Sequence, residues 1–180
     1  MILYGTDGIE QRRDARKLLA AALREEYSLE ELPEIHLLPQ GKPAFPPSLQ
    51  IEFNLSHSEP LALCALDDRP VGVDIQLVKT WNPRLPNRVC SQTELAWLDR
   101  QPDRPLGFAV LWSLKESRVK QSGIGLRLPL RSISVPLPER WDRPVCLDDL
   151  QFRVYTGENW AAAACGLSAP PAEILWRKLT

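Results

Sequence analysis

The apolar segments of this chain are short, and they come twice in the same order: one amphipathic helix, then about three runs of strand length. Strands gathered behind a helix, rather than alternating with helices one for one, predict an α+β fold. In the first half the helix covers residues 9–27, where Leu18, Leu19, Ala22 and Leu23 recur at helical spacing. Strands follow at 51–55, 61–66 and 71–76, with Asp67-Asp68-Arg69-Pro70 as a hairpin turn between the last two. In the second half Ser91-Gln92-Thr93-Glu94 is a capping box that opens a short helix over Leu95, Trp97 and Leu98. Pro102 and Pro105 interrupt it, a longer helix covers 106–121, and Ser122-Gly123 ends that one. Strands return at 133–137, 150–155, 160–167 and 173–177. The run Leu61-Ala62-Leu63-Cys64-Ala65-Leu66 is echoed by Ala162-Ala163-Ala164-Cys165-Gly166-Leu167. The expectation is a duplicated α+β unit, each copy a helix packed on a small, mostly antiparallel sheet. The lobes are assigned to 1–80 and 81–180, with a linker at 81–86 and a ligand cleft between them.

A chain of 180 residues, 44% hydrophobic and 25% charged, can bury such a core without metal or disulfide staples. Its four cysteines contain no C-x-x-C pair, which argues against zinc and a disulfide framework, and Cys64 and Cys165 read as small core residues. No apolar stretch reaches half a membrane span, and Asp7 comes too early for a signal peptide, so a cytoplasmic protein with no membrane partner is expected. A net charge of −1 gives no general attraction for nucleic acid. The 16 Arg against 6 Lys still leave room for a local patch that takes phosphate.

Four constellations could carry chemistry. In Val71-Gly72-Val73-Asp74-Ile75-Gln76 the apolar and polar residues alternate, so Asp74 and Gln76 share a side with Gly72. Their oxygens could meet on one cation with Gly72 leaving space, or the strand could simply have a solvated polar face. Trp112, Glu116 and Lys120 share a helix face; by spacing alone that is a surface Glu–Lys pair, and only the Trp is unusual. Phe53-Asn54-Leu55-Ser56-His57-Ser58 ends a strand in a Ser-His-Ser turn, which suits either a phosphate grip or an ordinary turn. His36, between Ile35 and Leu37, reads as structural, and no G-x-S-x-G elbow supports a serine hydrolase. Gln40-Gly41-Lys42-Pro43 is a rigid turn presenting one lysine.

In their order and spacing, Gly41-Lys42-Pro43, Phe53-Asn54-Leu55-Ser56-His57-Ser58, Gly72-Val73-Asp74-Ile75 and Trp112-Ser113-Leu114-Lys115-Glu116-Ser117 with Lys120 closely resemble the 4′-phosphopantetheinyl transferases of the Sfp type. The resemblance runs on through Gln121-Ser122-Gly123-Ile124-Gly125-Leu126 and covers residues 13–167. It implies transfer of phosphopantetheine from coenzyme A (CoA) to a serine of an apo acyl or peptidyl carrier protein, with release of adenosine 3′,5′-bisphosphate. It also implies a pseudo-dimer of two similar α+β lobes in one chain with CoA and Mg²⁺ in the cleft, so that a monomer is expected; Mn²⁺ could replace Mg²⁺. Asp74 and Glu116 match the family's metal-binding residues, Glu116 also its general base, and Lys120 the lysine that steadies the departing phosphate. CoA contacts are expected from Arg16, Lys17, Lys42, Pro43, Ser56 and His57, together with Asp74 and Lys120. Gln76 stands where the family usually has Glu; it can ligate through its carbonyl but brings no charge, so weaker Mg²⁺ binding is expected. Gln76 also motivates an alternative, a catalytically weakened CoA- or carrier-binding homologue. Family chains are typically longer ahead of Arg12, so part of the CoA or carrier surface is expected to be missing or rebuilt.

Overall fold

The computed structural model describes residues 1–125 and 128–179. Along the chain come β1 (Ile2–Asp7), α1 (Ala15–Tyr27), β2 (His36–Leu37), β3 (Pro43–Ala44), β4 (Glu52–Ser58), β5 (Leu61–Asp67) and β6 (Val71–Leu77). Then follow α2 (Pro86–Val89), α3 (Gln92–Asp99), α4 (Arg104–Ser122), β7 (Val145–Leu147), β8 (Leu150–Thr156), β9 (Trp160–Gly166) and β10 (Leu175–Trp176). The fold is α+β. One four-stranded sheet has the order β10-β1-β5-β4 and the other β6-β9-β8-β7, while β2 and β3 form a separate hairpin. Both sheets are antiparallel except where β10 runs parallel to β1.

The sheets stack face to face between two helical layers. Leu18, Leu19, Ala22 and Leu23 of α1 pack on Tyr4, Phe53, Cys64 and Leu66 of the first sheet. Between the sheets, Leu3, Leu63 and Ala65 meet Val73, Ile75, Ala162 and Ala164. On the far side Leu98 of α3 and Val110, Leu111 and Leu114 of α4 cover Phe152, Ala161, Ala163 and Cys165. β5 and β9 are therefore buried on both faces, which explains why each is a continuous apolar run instead of an alternating one.

The strand 71–76 does not form the expected hairpin with 61–66. β5 pairs with β1 and β4, whereas β6 pairs with β9, so a cut at residue 80 separates β6 from its sheet. β10 crosses the other way, onto β1. The free edges β4 and β6 face each other across a seam bridged by side chains. Asn54 Oδ1, Ser56 Oγ and Ser58 Oγ accept the backbone N–H groups of Val73, Ile75 and Leu77 at 3.0, 3.2 and 3.1 Å. Every second amide of an edge strand is thus satisfied without a ladder. The Ser-His-Ser segment is accordingly strand, with Ser56 and Ser58 committed to the seam.

Local signals account for most helix ends. The capping box is complete: Ser91 Oγ accepts Glu94 N–H and Glu94 Oε2 accepts Ser91 N–H. Asp103 caps α4, Pro105 sits in its first turn where a missing N–H is harmless, and Gly123 closes it with φ of 70°. The first helix starts later than 9, because Asp14 Oδ2 accepts the amides of Glu10 and Gln11 and holds a turn ahead of Ala15. Residues 133–137 are not a strand; Pro136 and Pro138 remove ladder donors, although Ile133 and Val135 still bury into the core. Leu126 lies outside the described residues. Among the described residues no helix is long and apolar enough to cross a membrane.

Candidate functional site

A cleft of about 840 Å³ opens along the seam. Its walls come from the start of α1 (Arg13, Arg16), the β2–β3 turn (Gln40 to Pro43), β4 (Asn54 to His57), β6 (Asp74, Gln76) and α4 (Glu116, Lys120), with Gly123 and Gly125 at one end. Closeness of α4 to β6 depends on Gly72, where a Cβ would stand 2.0 Å from Ser117 O and 2.5 Å from Gln121 N. The space beside Gly72 is thus filled by helix backbone, not left for a cation as the strand pattern suggested. One turn of helix then places Glu116 and Lys120 over Asp74.

Asp74 is 2% exposed and has every oxygen engaged. Lys120 Nζ lies 2.6 Å from its Oδ1, which also accepts Ser56 O–H at 2.9 Å, and Gln76 Nε2 donates to Oδ2 at 3.0 Å. Lys120 further donates to Ser56 Oγ at 3.0 Å and Val73 O at 3.2 Å. The helix Lys therefore pairs with Asp74 of β6, not along the helix with Glu116. Glu116 is half-buried, and burial, reinforced by the Asp74 charge and only partly opposed by Lys120, raises its pKa above the usual carboxyl range. Such a carboxylate holds its proton closer to neutrality than an exposed one does.

Of the residues singled out from sequence, Arg16, Lys42, Pro43, Ser56, His57, Asp74, Gln76, Glu116 and Lys120 line this cleft. Lys17 does not; it is mostly exposed and sits 3.8 Å from Asp14. Arg13, three residues before Arg16 on the same side, does line it. Lys42 is turned inward, donating to Gln121 O at 3.2 Å and Val71 O at 3.4 Å, and burial lowers its pKa. It ties the β2–β3 turn to the end of α4. His36 is exposed on β2 instead of being built into the core. Trp112 is half-buried beside Phe108, ring centroids 6.1 Å apart, which accounts for an aromatic on that stripe.

Lys115, next to Glu116, is fully buried and pairs with Glu94 Oε1 at 2.7 Å while donating to Leu130 O and Ile133 O at 2.9 and 2.7 Å. One Glu therefore closes the cap of α3 and anchors α4 beside the face that lines the cleft. Sequence reading recognised the capping box but not this second use of Glu94.

Among the described residues no three His, Cys, Asp or Glu side chains group as a metal cluster. Asp74 and Glu116 nonetheless suit a hard cation. Two carboxylates, one of them with proton affinity raised by burial and by its neighbour's charge, supply part of an oxygen shell, and Gln76 adds a carbonyl.

A family model described as the 4′-phosphopantetheinyl transferase superfamily matches residues 70–165, which include β6, α4, β8 and β9. The chain belongs to the 4′-phosphopantetheinyl transferase superfamily. This member is 39% identical over 120 residues to the 4′-phosphopantetheinyl transferase Sfp of Bacillus subtilis (strain 168), covering 64% of this chain and 52% of that one. It is 43% identical over 105 residues to the transferase AcpT of Escherichia coli (strain K12), covering 54% and 52%. Against the AcpT of Salmonella typhi it is 38% identical over 136 residues, covering 72% and 70%. The chain spans about half the length of the Bacillus relatives it matches.

Proposed function

We propose that this superfamily member transfers the 4′-phosphopantetheine group of CoA to a serine hydroxyl of an apo acyl or peptidyl carrier protein, releasing adenosine 3′,5′-bisphosphate. The observation that carries this reading is the convergence of Asp74, Glu116 and Lys120 on one wall of a cleft whose rim holds Arg13 and Arg16. Cationic side chains at the rim suit the phosphates of CoA, and His57 and the Lys42-Pro43 turn lie on the same path. Asp74 and Glu116 would hold Mg²⁺, with the Gln76 carbonyl in reserve, and the ion would orient the pyrophosphate and offset its charge.

Glu116 accepts the proton of the incoming serine; it lines the cleft, and burial together with the Asp74 charge raises its affinity for a proton. The serine oxygen bonds to the phosphorus that carries pantetheine, and the bridging P–O bond breaks. Lys120 then stabilises the negative charge left on the departing bisphosphate. The two sheets, each of four strands with one long helix on its outer face, are read as the lobes of a pseudo-dimer. That reading makes a monomer sufficient, since both walls of the cleft come from one chain.

The test is intact-mass spectrometry of an apo carrier panel incubated with the protein, CoA and Mg²⁺. A phosphopantetheine mass gain that disappears with Glu116→Ala and Asp74→Ala supports the reading. A second reading, a CoA- or carrier-binding homologue of low turnover, draws on Gln76, which adds no negative charge and turns its N–H toward Asp74. That second reading predicts CoA binding with no mass gain on any carrier, and a gain once Gln76→Glu is introduced.

A further inference from the structure

Lys120 sits on one of the two oxygens that Asp74 could offer a metal ion. Its ammonium is 2.6 Å from Asp74 Oδ1, and Ser56 holds the same pair from the side at 2.9 and 3.0 Å. The other oxygen, Oδ2, is held by the amide of Gln76. A cation taking Oδ1 must displace the ammonium, and one taking Oδ2 must displace the Gln76 amide and still meets the ammonium on the same carboxylate, which repels it.

Gln76 makes the arrangement self-sufficient. One ammonium balances Asp74 and the neutral amide fills its remaining acceptor, with Glu116 the second carboxylate of the cleft. A third carboxylate at position 76 would leave the site over-charged and in need of an external ion. Lys120 is also free to move: a quarter of its side chain is exposed to the cleft, and its other partners are a hydroxyl and a backbone carbonyl, both neutral. A phosphate in the cleft would offer it a full negative charge in exchange for Asp74.

We infer that Lys120 is an internal counter-ion that holds Asp74 until a phosphate ligand draws it away, so that the free protein binds divalent metal poorly and metal and CoA bind cooperatively. The inference rests on the reading of Asp74 as a metal ligand given above. It makes Lys120 a gate on metal entry in addition to its contact with the leaving group. Since coupling between two ligands is reciprocal, Mg²⁺ strengthens CoA binding by the same factor by which CoA strengthens Mg²⁺ binding.

The experiment is Mn²⁺ titration followed by the electron paramagnetic resonance signal of the free ion, with and without saturating CoA, the Mn²⁺ bound by CoA alone being subtracted. Lys120→Met should bind Mn²⁺ without CoA roughly tenfold more tightly than the parent, the factor expected when one charge-assisted hydrogen bond no longer has to break. CoA should then tighten Mn²⁺ binding in the parent and do so far less in the variant. Lys120→Gln, which keeps a polar side chain of similar reach, should behave the same way and serves if Met is poorly tolerated. Asp74→Asn should abolish Mn²⁺ binding in the presence of CoA. Loss in Asp74→Asn with no gain in either Lys120 variant would overturn the gate while leaving the metal ligand in place. Unchanged Mn²⁺ binding in Asp74→Asn would overturn both.

Discussion

Replacing Gly72 with Ala puts a single methyl group between the two elements that build the active wall. The new Cβ would lie 2.0 Å from the carbonyl oxygen of Ser117 and 2.5 Å from the amide nitrogen of Gln121. Both are backbone atoms, so no rotamer change relieves the clash. To go from 2.0 Å to the 3.4 Å of ordinary contact, α4 must retreat from β6 by roughly 1.4 Å. Ser117 and Gln121 each directly follow a residue of the cleft wall, so Glu116 and Lys120 move with them. The Lys120–Asp74 contact at 2.6 Å and the Lys120–Val73 O bond at 3.2 Å cannot both survive that shift. Overpacking of this kind costs about 1–3 kcal/mol of stability. Misplacing reacting groups by about 1 Å costs on the order of 100-fold in rate. Urea denaturation followed by tryptophan fluorescence reads the first effect, and the initial rate of carrier mass gain reads the second. A Gly72→Ala protein within about 0.5 kcal/mol of the parent, and modifying carrier at the parent rate, would refute the claim that this contact sets the site.

Glu94→Ala removes the partner of a fully buried ammonium and should cost about 3–5 kcal/mol, read as a lowered urea midpoint with unchanged slope. Ser91→Ala, which loses only the cap, should cost about 1 kcal/mol by the same measurement. Asn54→Ala strips the acceptor from the buried Val73 N–H and should cost about 1–3 kcal/mol, with faster hydrogen exchange at that amide. Glu116→Gln tests the buried carboxyl. Because its folded pKa lies above the unfolded value, the stability it contributes is full below the unfolded pKa and is lost as pH rises through the folded one. Thermal melts should therefore find Glu116→Gln more stable than the parent near neutral pH, with the gain vanishing under acid conditions.

Much of the candidate site was legible because its residues lie at short spacings on two elements. Alternation placed Gly72, Asp74 and Gln76 on one side of a strand, and helical spacing placed Glu116 and Lys120 on one face of a helix; all but Gly72 reach the cleft. The same helical spacing would have preferred Arg13 with Arg16 over Lys17, which points about 100° away from Arg16. Pairing across distance was less legible. Val71–Leu77 could have paired with either of two apolar runs, and the nearby turn favoured the wrong one; the long-range choice of β9 brings the small Ala161 to Ala164 against β6. The strand at Ile2–Asp7 escaped notice because only a short apolar run precedes Gly5 and Thr6. Ser56 and Ser58 look like turn residues when their partners are unknown, since what satisfies them is the backbone of a strand 19 residues on.

The seam between β4 and β6 also has a consequence for how the chain is assembled during translation. β6 emerges from the ribosome long before β9, its ladder partner, and at the usual speed of synthesis the wait is on the order of ten seconds. An apolar strand exposed for that time is open to pairing with a neighbouring chain. Asn54, Ser56 and Ser58 have already been made by then, and they can occupy alternate amides of β6 while its other edge waits. These three side chains, two of which later border the ligand cleft, can thus act as a provisional partner, shielding one flank of the nascent strand from aggregation until the second sheet is complete.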